Sequence, residues 1–210
     1  MKGILYYIIL GVIAVVFWGC IAISAKRDEK KKKEYREQNV SEVLIQDKFF
    51  GEVACEYDKE MNQLTFTNLS IPFGKYNPRI YIEDYEEDKR EFYFRKLEYV
   101  YQLQQEIIEK MIAGFLETYT NCEELTRERL EETFSIETIS LEKCNEFHSE
   151  YLFAEDTFIE GDHFECEVGD WLLIVESEVD KKKIFRNNYA VDPVVYLKCE
   201  TNEMCYMLAE

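Results

Sequence analysis

Residues 3–25 contain no charged side chain, and twelve of them are Ile, Leu, Val or Phe. As a helix rising 1.5 Å per residue, such a run is roughly 34 Å long, enough to cross the hydrocarbon core of a bilayer. At ~0.3–0.6 kcal/mol per large apolar residue, it favours insertion by about 4–7 kcal/mol. The pattern predicts a single N-terminal transmembrane helix over residues 1–25, with Tyr6, Tyr7 and Trp18 suited to the interfaces.

The pattern then changes twice. Residues 26–48 are dominated by charge and read as a juxtamembrane linker or helix. From residue 49 the period is mostly two. Residues 49–57 and 63–67 read as strands, and the phase slip between Phe66 and Leu69 predicts a bulge near Asn68. Pro72, Gly74 and Pro78 mark a loop before a third strand over 79–83. Between residues 88 and 120 the period becomes helical: Leu97, Val100, Ile107, Ile108, Met111, Ile112, Phe115 and Leu116 form one broad apolar face. Thr126 is a candidate N-cap for a short second helix.

Strands then return. Ile136, Ile139 and Leu141 fall in one, residues 147–153 in another, and residues 164–168 alternate cleanly. Residues 171–175 are continuously apolar, as in a strand covered on both faces, and 194–199 with 205–208 read as a last hairpin. The order strands, helices, strands predicts an α+β fold: an antiparallel sheet with one long packed helix, preceded by the transmembrane helix. An acidic α+β domain is expected over residues 49–210.

Charge sharpens this picture. Residues 1–33 hold seven cations and two acids, a balance of +5, so a total of −18 leaves −23 on residues 34–210. Such a domain repels nucleic acid and attracts basic proteins. Solubility alone also accounts for an acidic surface. Lys26, Arg27, Lys30, Lys31, Lys32 and Lys33 follow the apolar run, against Lys2 and the α-amino group before it. The positive-inside rule therefore places the C-terminal side in the cytoplasm, where these membrane-interface cations meet anionic lipid. A cleaved signal peptide fits less well, because the apolar run is too long. A lipobox ending at Cys20 fits less well too, because Trp18 stands where a small residue is normal.

The seven cysteines show no C-x-x-C spacing, so no zinc site is signalled, and reduced, partly buried thiols are the simpler reading. No nucleophile elbow, phosphate loop or dinucleotide fingerprint occurs, and no cofactor is expected. The two histidines have similar surroundings. If both segments are strands, Glu146, His148 and Glu150 share one face, and His163, Glu165 and Glu167 another. Paired, those faces offer His148, Glu150, His163 and Glu165 as metal ligands. Ordinary solvated strand faces produce the same alternation. The acidic run Glu83, Asp84, Glu86, Glu87 and Asp88 is a candidate grip for a basic partner, or a solvated loop.

The stretch Phe50-Gly51-Glu52-Val53 followed by Leu64-Thr65-Phe66 resembles the opening of bacterial families labelled domain of unknown function 2262. The helix after the third strand fits the same layout, and so do residues 151–168. Asp162 departs from the family by separating Gly161 from His163. The likeness covers roughly residues 49–178. It implies an α+β fold without an established activity. Because such families commonly sit in loci with toxins, it also implies a possible immunity role.

Three functions follow as expectations. The first is a membrane-anchored acidic protein-binding domain acting as a toxin-immunity protein. The second is a metal-dependent enzyme using His148, His163 and carboxylates. The third is a structural subunit of a membrane complex.

Overall fold

The computed structural model describes residues 2–68, 73–119, 125–148, 166–180 and 192–209. The chain forms two compact units, residues 1–41 and 42–210.

The first unit is one helix, α1, Lys2–Asn39. Its 38 residues extend roughly 57 Å at 1.5 Å per residue. The charged stretch continues the helix because Lys30–Glu34 (3.4 Å) and Lys33–Glu37 (3.7 Å) sit at i,i+4 spacing. Each such exposed pair adds only about 0.3–0.5 kcal/mol. Among the described residues no helix is long and apolar enough to cross a membrane. The side chains of residues 1–16, 19, 20 and 22 lie outside the described set, and most of the apolar run falls on them.

The second unit is built on an eight-stranded sheet in the order β1-β2-β3-β4-β5-β6-β7-β8. Its strands are β1 Val40–Asp47, β2 Gly51–Asp58, β3 Gln63–Asn68, β4 Arg79–Ile82, β5 Phe134–Lys143, β6 Trp171–Val179, β7 Asp192–Lys198 and β8 Met204–Ala209. β1, which opens at a residue of the first unit, lies in the stretch expected to be charged linker or helix. Its pattern is mostly exposed, with only Ile45 fully buried, so the sequence carries little strand signal there. The β1–β2 turn is locally determined. The Asp47 carboxylate accepts from the backbone N–H groups of Phe49 and Phe50, both at 2.8 Å, and Gly51 supplies the left-handed φ of 73°. The expected slip in β3 is present: Cys55 faces Phe66 while Ala54 faces Asn68.

From β2 onward every neighbouring pair is antiparallel except β4–β5, which is parallel. The exception follows from the connection. Between β4 and β5 the chain makes a 3-10 turn (Glu87–Lys89) and then α2 Arg90–Gln102, α3 Gln104–Thr118 and α4 Arg127–Glu131. A crossover of that length returns the chain to the same end of the sheet, which a tight hairpin cannot do.

The single long helix expected over 88–120 is broken at Leu103, at φ −90° and ψ 5°. No Pro or Gly causes this. The apolar spacing that runs through Leu97 and Val100 would next call for an apolar side chain near 104, where Gln stands. Its Oε1 instead accepts from the backbone N–H of Gly74. α4 forms as expected, with the Thr126 hydroxyl accepting from the Arg129 N–H at 3.2 Å.

Leu97, Val100, Ile107, Met111, Ile112 and Phe115 bury one helical face against alternate sheet residues, including Leu64, Ile82, Leu141, Leu173, Val175 and Leu197. Each fully buried large apolar side chain contributes about 1.5–3 kcal/mol. A bulge in β5 between Ile136 and Thr138 shifts the phase, so that Ile136 and Ile139 both reach this core. The opposite face of β6 and β7 carries a smaller cluster of Cys144, Leu172, Ile174, Val194, Tyr196 and Cys205. That explains the unbroken apolar run at the start of β6.

Three further expectations change. Residues 146–148 form a helical turn, not the start of a strand, and 166–168 are loop and turn. Cys144 and Cys166 are joined as a disulfide, whereas Cys55, Cys199 and Cys205 are buried thiols in no described disulfide. Cys122 lies outside the described residues.

Candidate functional site

The acidic run is drawn into the domain at the end of β4. Glu83 is half-buried; its backbone N–H donates to Leu141 O (2.9 Å) and its carboxylate accepts from Gln63 (3.5 Å). Glu86 lies between Lys89 and Lys143, each at 2.9 Å. Hydrogen bonds from Lys143 first, and from Lys89, hold its carboxyl below the usual range. Glu87 accepts from Arg90 (2.8 Å) and Tyr85 (2.5 Å). Asp84 and Asp88 are exposed. Two of the five candidate carboxylates are therefore spent on internal cations. Lys89 and Lys143 also lie over the Trp171 ring, at 5.7 and 5.3 Å from its centroid, so the cluster holds the start of β6.

His148 stands in the helical turn, 7% exposed. Its Nδ1 accepts from the Asn145 N–H at 3.4 Å, and its ring lies 6.4 Å from that of Tyr196. Burial lowers its pKa and favours neutral imidazole. Glu146 is exposed, while Glu150, His163 and Glu165 lie outside the described residues. Among the described residues no group of three or more His, Cys, Asp and Glu is placed to hold a metal.

A different cluster is assembled on the sheet face opposite the helices. Thr138, Ser140 and Glu142 project there from β5, beside Tyr81 from β4, Glu176 from β6 and Tyr196 from β7. Thr138 donates to Glu176, and Ser140 donates to Glu142 at 3.0 Å. Ser140 is 1% exposed and Thr138 6%. Burial, and then the negative charge of Glu83, push the Glu142 carboxyl up to about 7. Such a group exchanges its proton at neutral pH. None of these residues stood out in the sequence. Alternation in Thr138-Ile139-Ser140-Leu141-Glu142 reveals a polar face, but not that the face is covered.

A cleft of about 430 Å³ opens between the β1–β2 turn and α2, lined by Ile45, Lys48, Phe49, Arg90, Phe94 and Arg95 among others. The cations Lys26, Arg27, Lys30, Lys31, Lys32 and Lys33 are all exposed along α1. The observed class is an α+β unit with an eight-stranded, mostly antiparallel sheet and helices packed on it. No family model, no curated protein and no solved structure matches the chain.

Proposed function

We propose that the chain is a single-pass membrane protein that holds an acidic binding domain at the cytoplasmic face and engages a basic protein there, as an immunity protein engages a toxin. The observation carrying this reading is the segregation of charge: +5 on residues 1–33 and −23 on residues 34–210. Two features of α1 support the anchor. Its backbone is helical through the whole apolar run, and Phe17, Trp18, Ile21 and Ile23 are exposed on it. Large apolar side chains left open on a helix are stabilised by lipid. The strong negative field of the domain would speed encounter with a basic partner, and tethering would raise its effective concentration at the membrane.

The test is co-expression with the products of neighbouring genes that are toxic alone, followed by cross-linking. Protection together with a recovered complex is expected. Survival unchanged by the protein, with no complex, overturns the immunity reading. Recovery of a resident membrane protein instead would indicate a structural subunit.

A further inference from the structure

The Cys144–Cys166 bond joins two positions 22 apart in sequence. Cys144 is buried at the end of β5 within the smaller apolar cluster, beside Leu172, Ile174 and Tyr196. Its backbone is fixed on both sides: its N–H donates to Asp170 O (2.7 Å), and its carbonyl accepts from Gly169 N–H (2.8 Å). Cys166 is only half-buried. It opens a turn in which Glu167 N–H donates to the Asp170 carboxylate (3.0 Å). The bond thus ties together the points where the chain leaves β5 and returns toward β6.

The other described cysteines contrast with this pair. Cys55, Cys199 and Cys205 are buried thiols. Burial pushes Cys55 up to about 11 and Cys199 up to about 12. A thiol held protonated is a poor nucleophile. Among the described cysteines, Cys166 is therefore the accessible point for exchange.

We infer that Cys144–Cys166 is a reversible redox staple exchanged with the glutathione couple, an inference that rests on the cytoplasm-facing placement proposed above. A compartment rich in reduced glutathione does not maintain such a bond by default, so a cross-link there responds to oxidation. In closure the Cys166 thiolate attacks glutathione disulfide, forming a mixed disulfide and expelling one glutathione thiolate. The Cys144 thiolate then attacks the Cys166 sulfur and expels the second. The protein dithiol loses two electrons and two protons, and glutathione disulfide gains them to become two glutathione thiols. Closure restricts the unfolded chain, so the oxidised form is the more stable.

The full chain in detergent micelles would be equilibrated at neutral pH over a series of reduced-to-oxidised glutathione ratios. It would then be quenched with acid, alkylated and mapped by mass spectrometry. The linked 144–166 peptide is expected to pass from majority to minority within the series. The melting temperature should fall by roughly 5 °C on reduction, and Cys144→Ser and Cys166→Ser should each melt like the reduced protein under both conditions. Free thiols at every ratio, or a link retained at every ratio, overturns the inference. Protease protection of the chain in sealed inverted vesicles reads the placement separately, so failure of the staple is distinguished from failure of the cytoplasmic assignment.

Discussion

Glu142 shows how the environment of one residue becomes a property of the protein. Its carboxyl titrates near 7 in the folded chain, against an ordinary value of 4.5, chiefly because it is buried and secondarily because Glu83 is close. A raised carboxyl pKa means that the folded state binds the proton more tightly than the unfolded state. The stability this provides is fully present below about 4.5 and is lost as pH rises toward 7. Glu142→Gln removes the titrating group while keeping an acceptor for Ser140. We expect it to raise stability by roughly 2 kcal/mol at pH 8 and to flatten the pH profile between 5 and 7. Urea melts of both proteins across that range check this; parallel profiles would count against a buried, proton-exchanging Glu142. Gly114 is a second single-residue constraint. A Cβ there would lie 2.6 Å from the Tyr206 ring, and Tyr206 is itself buried against the main core. Gly114→Ala should cost about 1–3 kcal/mol by overpacking, seen as a lower denaturation midpoint with an unchanged slope.

At the scale of elements, what the sequence announces depends on how many neighbours decide the outcome. The capped helix α4 was legible because Thr126 and the residues after it are local. Thr126→Ala should cost about 1 kcal/mol, measurable as a shift in the urea midpoint. β2, β3 and β4 were legible because their alternation matches the one face they bury, and β6 and β7 because their continuous apolar runs match burial on both faces. β1 was not, since its exposed edge position leaves Glu42, Leu44 and Gln46 uncovered. The break at Leu103 was hidden because it reflects a tertiary contact, Gln104 with the Gly74 backbone, rather than a helix breaker. The helical turn at His148 misled for a related reason. Glu146-Phe147-His148 alternates like a strand, yet the Asn145 side chain accepts from the His148 N–H (3.0 Å) and begins a turn. The candidate site was legible only in part. The acidic run was visible as charge, but its partner Lys143 lies 57 positions beyond Glu86, and no local pattern links the two.

At the scale of the whole molecule, residues 1–33 and 34–210 carry opposite charge, and the proposed membrane placement rests on that asymmetry together with the apolar run. Neutralising Lys26, Arg27, Lys30, Lys31, Lys32 and Lys33 removes nearly all the cationic bias following residues 3–25. The expected result is mixed orientation, read by protease protection in sealed vesicles. Deleting residues 1–33 makes a different demand. It removes most of α1 but leaves every strand and the whole main core, whose buried members begin at Ile45. A chain of residues 34–210 should therefore remain folded and leave the membrane fraction, with a cooperative melt whose midpoint lies within a few degrees of the full chain. Fractionation and a melting curve decide it. A truncated chain that still pellets with membranes would place the anchor elsewhere than α1, whereas one that leaves the membrane but melts without cooperativity would mean that the sheet needs α1 to fold.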